Sequence, residues 1–145
     1  MQDIHILLVE DNEGDIVLTL EALKEAKIRN AVSVARDGEV ALKMLYQSPP
    51  YEDFQLPDLI LMDINLPKVD GKEVLMKVKS DDKLKIIPVV MLTTSTAERD
   101  VLDSYSNHAN CYISKPVDIN KFLSVIHSIE NFWLAVVKLP SMFVK

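Results

Sequence analysis

The chain has 145 residues, of which 48% are hydrophobic, and this is enough for one domain with a core of its own. Its formal net charge of −6 makes nucleic acid a poor partner, and its single cysteine excludes an intramolecular disulfide and suits a reducing cytosol. The first residues lack a signal-peptide pattern and no apolar run is long enough to span a bilayer, so we expect a soluble, cytoplasmic protein that binds neither nucleic acid nor membrane.

Five short apolar runs alternate with amphipathic segments along the chain. The runs that we predict as strands are Ile4–Val9, Ala31–Ala35, Leu59–Met62, Val89–Leu92 and Cys111–Ser114. Most of them are apolar on both faces, which is typical of a parallel sheet covered on both sides.

The segments between these runs carry apolar residues at helical spacing. We predict helices after Asp15, after Asp37 and Gly38, after Asp70 and Gly71, after Thr96, and from Ile119 to Trp133. Five strand–helix units of this kind predict a doubly wound α/β sheet with helices on both faces. The proline-rich loop of residues 48–57 is not a domain boundary, because a strand of the same sheet follows at once.

Polar side chains follow four of the predicted strands. Ligands of open α/β sheets bind at the carboxyl ends of the strands, so we expect these side chains to gather at one edge. They are Glu10 and Asp11 after the first strand, Asp63 after the third, Thr93 after the fourth and Lys115 after the fifth.

Three carboxylates so close together cannot all stay ionised without a cation, and oxygen ligands favour Mg²⁺. An aspartate beside such a metal can act as a nucleophile toward a phosphoryl group. Lys115 and the metal would neutralise the charge of that group, and the hydroxyl of Thr93 would hydrogen-bond one of its oxygens. The pattern therefore predicts a carboxylate that is phosphorylated and whose neighbours respond, which makes a switch.

Four motifs in this order resemble the receiver domain of response regulators. They are Leu7–Asn12, Leu61–Gly71, Pro88–Thr93 and Tyr112–Pro116. Each motif alone is a weak signal, but the four in this order are specific for the family. The resemblance extends from Ile4 to about Ile129. It implies a flavodoxin-like α/β fold with five parallel strands in the order 2-1-3-4-5 and five helices.

The resemblance also implies roles for the site residues. Asp63 would be the phosphoacceptor. The Mg²⁺ ligands would be Glu10, Asp11, Asp63 and the backbone carbonyl of Asn65.

The remaining implied roles concern the response to phosphorylation. Thr93 would be the switch hydroxyl, Tyr112 the aromatic residue coupled to it, and Lys115 the partner of the phosphoryl group. The peptide bond before Pro116 would be cis, as in a tight turn that aims the lysine.

A narrower resemblance is to single-domain receivers that pair with phytochrome-type sensor histidine kinases. It rests on residues 10–23, on the long proline-containing loop and on the apolar segment Phe132–Pro140. It implies a homodimer formed through the last helix and its extension, because this tail is more apolar than an uncovered end should be. We therefore divide the chain into a receiver domain, residues 1–130, and an apolar extension, residues 131–145. The alternative is that Trp133 and its neighbours cover the core of their own chain.

Two functions are compatible with the pattern. The first is a signalling receiver, phosphorylated on Asp63 by a sensor histidine kinase, that binds another protein or passes the phosphoryl group to a histidine phosphotransfer protein. It would be no enzyme beyond its own phosphorylation and dephosphorylation. The second is an enzyme with an aspartate nucleophile, such as a phosphatase. That chemistry usually has a second aspartate two residues later, where this chain has Asn65.

Taken singly, several of these residues have ordinary structural explanations. Glu10 and Asp11 could be an acidic pair at a helix N-terminus, and Lys115 a solvated lysine. Asp63 could likewise belong to a turn. The joint occurrence of these acids with Thr93, Lys115 and Pro116 outweighs the ordinary explanations of the acids. The glycines at 38 and 71 mark helix starts only, and the three histidines lack the spacing of metal ligands.

Overall fold

The structure is a computed structural model, and it describes residues 4–25, 30–93, 111–114 and 120. Their elements alternate along the chain as predicted. The strands are β1 (Ile4–Val9), β2 (Asn30–Ala35), β3 (Leu59–Asp63), β4 (Val89–Thr93) and β5 (Cys111–Ser114). The helices are α1 (Glu13–Glu25), α2 (Gly38–Leu45) and α3 (Gly71–Ser80). The fourth and fifth predicted helices lie outside the described residues, except for the helical Asn120.

The five strands form one parallel sheet in the order β2-β1-β3-β4-β5. This confirms the order implied by the resemblance. The chain starts at β1, moves to the edge strand β2 and then crosses to β3, so the strand order reverses between β1 and β3. The crevice beyond the carboxyl ends of these two strands is where such sheets bind ligands.

Both faces of the sheet are covered, because successive side chains of each strand point to opposite sides. Leu7, Ile60 and Met91 belong to the core cluster that includes residues of α2 and α3. Leu8 and Leu61 belong to a second cluster with residues of α1. Full burial of an aliphatic side chain contributes roughly 1.5–3 kcal/mol, so the central strands are the most strongly held part of the described chain.

Helices α2 and α3 begin at the predicted signals, whereas α1 begins at Glu13, before the predicted start after Asp15. Asp37 is the N-cap of α2, and its carboxylate accepts a hydrogen bond of 2.8 Å from the backbone N–H of Val40. Asp70 precedes α3 in an extended conformation without a side-chain cap bond. In α2 the small Ala41 is fully buried, while Leu42 is only partly buried.

The loop of residues 48–57 packs onto the same core. Tyr51, Phe54 and Leu56 contact the cluster shared with α2 and α3. The side-chain amide of Gln47 donates a hydrogen bond of 2.7 Å to the carbonyl of Phe54. The loop is therefore part of the domain, as predicted. Among the described helices, none combines the length and the apolarity needed to cross a bilayer.

Candidate metal centre

Three carboxylates meet at the carboxyl ends of β1 and β3. Val9 pairs with Met62 across these adjacent strands, so Glu10 and Asp63 leave the sheet side by side. One carboxylate oxygen each from Glu10, Asp11 and Asp63 lies within 4.8 Å of the other two. Glu10 and Asp63 are buried, at 1% and 5% exposure, whereas the side chain of Asp11 is exposed to solvent. The structure therefore brings together the three acids that the sequence predicted.

The β1–α1 connection holds Glu10 in place. Its backbone N–H donates to the carbonyl of Ala35 at 2.9 Å, which ties it to the end of β2. Its side-chain Oε1 accepts from the N–H of Asn12 at 3.1 Å. The side chain of Asn12 in turn accepts from the N–H of Asp15 at 2.9 Å, in the manner of a helix N-cap. Our sequence interpretation did not single out Asn12, although an asparagine immediately before a helical pattern is a capping signal.

The β3–α3 connection orients Asp63. Its Oδ1 accepts a hydrogen bond of 3.0 Å from the backbone N–H of Asn65. The N–H of Ile64 continues the sheet by donating to Leu92 at 3.1 Å, and the N–H of Gly71 donates to the carbonyl of Ile64 at 3.0 Å. The N–H of Asn65 thus orients the Asp63 carboxylate, while main-chain hydrogen bonds fix the strand end that carries it.

Gly71 allows helix α3 to begin directly on this backbone. A Cβ at position 71 would overlap the carbonyl oxygen of Asp63 and would lie 2.9 Å from that of Ile64. The sequence predicted Gly71 as a helix start, but the close approach to Asp63 is a tertiary contact that no local pattern reports.

The negative charge of the three carboxylates favours the binding of a cation. Two unit charges 4.8 Å apart repel by about 3.5 kcal/mol at an effective dielectric constant of ~20, so three ionised carboxylates oppose one another strongly. The ligand atoms are all hard oxygens, and two of the carboxylates are buried. This donor set fits a divalent cation of the Mg²⁺ or Mn²⁺ type.

Two ion pairs lie at the ends of β2 and α2, one exposed on both sides and one exposed on the lysine side only. The guanidinium of Arg36 contacts the carboxylate of Glu13, and Lys68 Nζ lies 3.7 Å from Asp37 Oδ2. Exposed pairs of this kind contribute about 1 kcal/mol or less. Sequence reasoning did not predict either pair.

The predicted switch residues are only partly placed. Asp63 pairs with Leu92, and Thr93 pairs with Ser114, so the backbone of Thr93 ends β4 at the same edge of the sheet. The side chains of Thr93 and Tyr112 lie outside the described part of the chain, as do Lys115 and Pro116. Their roles stay predictions.

A parallel sheet in this order, with an acidic cluster at the point where the strand order reverses, defines a receiver-type α/β domain. Residues 6–127 match the response regulator receiver domain, so the chain belongs to this family. It is therefore a signalling protein of two-component systems, as predicted, and members of this family bind a divalent metal.

Relatives of known structure have a similar fold. The response regulator Rcp1 of Synechocystis sp. is 46% identical over 136 residues, which cover 94% of this chain and 92% of the relative. The crystal structure of the Mn²⁺-bound form of Rcp1 has a TM-score of 0.77 and covers 94% of this chain and 99% of that one. The phosphorylated cyanobacterial phytochrome response regulator RcpA is 46% identical, with a TM-score of 0.80 and coverage of 96% and 99%. The chain is thus similar along most of its length to regulators of this type.

Proposed function

We propose that the protein is phosphorylated on Asp63 by a sensor histidine kinase, and that Mg²⁺ is held by Glu10, Asp11, Asp63 and the backbone carbonyl of Asn65. The observation that carries this proposal is the convergence of three carboxylates within 4.8 Å at the ends of adjacent strands. The Mn²⁺-bound form of Rcp1 supports a divalent cation, and the oxygen-only donor set suits Mg²⁺ equally well.

Asp63 is the acid best suited to be the nucleophile. It is buried, it lies on the central strand β3, and its carboxylate is oriented by the N–H of Asn65. A carboxylate oxygen of Asp63 would attack phosphorus, forming a P–O bond while the P–N bond to the donor histidine breaks. Orientation of this kind removes much of the entropic cost of the step. A bound cation would supply positive charge to the carboxylates and to the oxygens of the incoming phosphoryl group.

Lys115 and Thr93 would complete the site. The ammonium of Lys115 would pair with the phosphoryl oxygens, and the hydroxyl of Thr93 would donate a hydrogen bond to one of them. Tyr112 would follow the movement of Thr93, and a cis peptide bond before Pro116 would aim the lysine. The position of Thr93 at the end of β4 supports this arrangement, since Asp63 ends the adjacent strand.

The partner that we propose is a phytochrome-type sensor histidine kinase, because RcpA is a phytochrome response regulator. Downstream, the cytoplasmic protein would bind a target protein or a histidine phosphotransfer protein. Residues 1–130 would form the receiver, and the apolar extension of residues 131–145 would form a homodimer together with the last helix. We further propose that the protein turns over no substrate other than its own aspartyl phosphate.

Incubation with acetyl phosphate and Mg²⁺, followed by intact-mass spectrometry, tests the site. The expected result is one phosphoryl group per chain, which is absent from Asp63→Asn and present in Glu13→Gln, a matched change in an exposed acid outside the cluster. Repeated turnover of assorted phosphoesters would instead favour a phosphatase. That reading is disfavoured because Asn65 cannot serve as the general acid.

Light scattering tests the proposed dimer. The full chain should have the mass of a dimer, and a chain shortened to residues 1–130 should have the mass of a monomer while it still accepts the phosphoryl group. A monomeric full chain at high micromolar concentration, with and without phosphorylation, would contradict the proposal.

A further inference from the structure

The β3–α3 connection contains a residue in an unfavourable backbone conformation. Lys68 has a φ of 67°, in the left-handed region that side chains other than glycine rarely adopt. The N–H of Val69 donates to the carbonyl of Pro67 at 2.8 Å, which closes a γ-turn around Lys68. A γ-turn with positive φ is rare and strained, so surrounding contacts must hold it.

The start of helix α2 supplies these contacts, although it lies about 30 residues earlier in the chain. The backbone of Gly38 packs directly on Val69. A Cβ at position 38 would overlap the carbonyl oxygen of Val69 and lie 2.8 Å from its carbonyl carbon. The N–H of Gly38 also points to the carbonyl of Pro67 at 3.5 Å, and Asp37 Oδ2 lies 3.7 Å from Lys68 Nζ.

These contacts reach the metal centre through a short piece of backbone. The γ-turn begins two residues after Asn65, whose N–H orients the carboxylate of Asp63. At its other end the connection is fixed by Gly71, which donates to the carbonyl of Ile64. The backbone of Asn65 therefore lies between two anchors, one on α3 and one on α2.

We propose that Gly38, assisted by Asp37, is a positioning residue for the cation site: it holds the γ-turn and thereby the backbone of Asn65. The inference rests on the proposed metal-dependent phosphorylation and adds residues to it. Gly38 has the larger share, because its contact involves backbone atoms that cannot rotate away. The ion pair of Asp37 is exposed on the lysine side and contributes little by itself.

The decisive variant is Gly38→Ala, with Val78→Ala as the matched control. Val78 is fully buried in the second half of α3, so its truncation lowers stability without touching the γ-turn. We expect Gly38→Ala to weaken Mg²⁺ binding about tenfold by isothermal titration calorimetry, as for other residues that orient a metal ligand. Val78→Ala should leave the affinity within about twofold. At saturating Mg²⁺ the phosphorylation rate of Gly38→Ala should recover to that of the control.

Amide hydrogen exchange in the metal-free proteins gives a second readout. The amides of Asn65 and Val69 should exchange faster in Gly38→Ala than in Val78→Ala, because the γ-turn has lost its support. Equal exchange and equal Mg²⁺ affinity in the two variants would overturn the inference. If the unmodified protein binds no Mg²⁺, the proposed function fails, whereas the exchange rates still decide whether Gly38 holds the turn.

Asp37→Asn keeps the inference testable if Gly38→Ala does not fold. Asparagine can still cap α2 through Oδ1, but it lacks the charge that faces Lys68. We expect Val69 to exchange faster than in the unmodified protein, while the Mg²⁺ affinity stays within about twofold and the melting temperature is unchanged, because this ion pair is the smaller of the two contacts. Unchanged exchange at Val69 would overturn the role of the α2 start in holding the γ-turn.

Discussion

The backbone of Gly71 lies directly against the carbonyl oxygen of Asp63, so helix α3 begins on the residue that we propose as the phosphoacceptor. Replacing Gly71 with alanine forces either α3 or the end of β3 to move, because both contacting groups are backbone. We expect Gly71→Ala to lower the free energy of unfolding by about 1–3 kcal/mol and to slow phosphorylation by acetyl phosphate. Urea denaturation and intact-mass kinetics measure the two effects.

Gly14→Ala is the matched control for this prediction. Gly14 lies in the first turn of α1, and a Cβ there would meet only the side-chain Oδ1 of Asn12 at 3.3 Å. Alanine is favoured over glycine inside a helix by up to about 1 kcal/mol, so this variant should be neutral or stabilising. Equal destabilisation by both substitutions would show that the approach of Gly71 to Asp63 is not tight.

Removing one charge from the acidic cluster should have opposite effects with and without metal. In Asp11→Asn the repulsion among the carboxylates falls, so the metal-free protein should gain about 0.5–1 kcal/mol, a small amount because Asp11 is exposed. The same variant loses a proposed ligand and should bind Mg²⁺ at least tenfold more weakly. Thermal unfolding with and without Mg²⁺ measures both, since a ligand at 100 times its Kd adds about 2.7 kcal/mol. A lower melting temperature of the metal-free variant would contradict the expected repulsion.

The titration of Lys79 should make the free energy of unfolding vary with pH in the alkaline range. Its Nζ donates to the carbonyls of Lys85 at 3.0 Å and Ile87 at 2.6 Å, and burial lowers the pKa of this ammonium to about 8. Between about pH 8 and 10.5 the unfolded chain therefore binds more protons at this position than the folded protein does. The stability of the native protein should rise with pH across that window, by about 1–2 kcal/mol after allowance for partial solvation.

Lys79→Met is the comparison that isolates this group, because methionine keeps the apolar stem and cannot titrate. The difference in unfolding free energy between the native protein and this variant should grow in favour of the native protein from pH 8 to 10.5. A constant difference over that range would mean that Lys79 titrates alike in the folded and unfolded chains.

Residues at the amino-terminal ends of the strands, opposite the acidic cluster, should affect stability alone. Asp58 is buried at 8% exposure, accepts from the N–H of His5 at 3.0 Å and donates its own N–H to the carbonyl of His5 at 2.8 Å. We expect Asp58→Ala to cost about 1–3 kcal/mol, because a buried donor loses its partner. Phosphorylation at saturating Mg²⁺ should be unchanged under conditions where the variant is folded, as measured by intact mass. Slower phosphorylation of the variant would show that the amino-terminal ends of the strands also influence the acidic cluster.

Most of the strands were predictable because their residues are apolar on both faces, which is typical of a parallel sheet covered on both sides. Asp63 is a polar exception at the end of such a run, and its position in the sheet follows from the run alone. The buried face of α2 was less predictable. Ala41 is fully enclosed while Leu42 is partly exposed, so the buried face of α2 does not follow the hydrophobicity of its residues alone.

The supports of the site were not predictable from local pattern. Lys68 adopts a left-handed conformation without the glycine that would announce it, and Gly38 contacts Val69 across a long stretch of chain. Both depend on how α2 and the β3–α3 connection pack, which no short window of sequence contains. The predicted roles of Lys115 and of the extension lie outside the described residues, so they stay predictions.

Glu10 and Asp63 are carried on two neighbouring strands whose inner residues have almost no contact with solvent. A strand cannot slip by one position without turning every side chain toward the wrong layer, so the two acids cannot drift apart. We therefore expect phosphorylation to leave the spacing of these two acids unchanged.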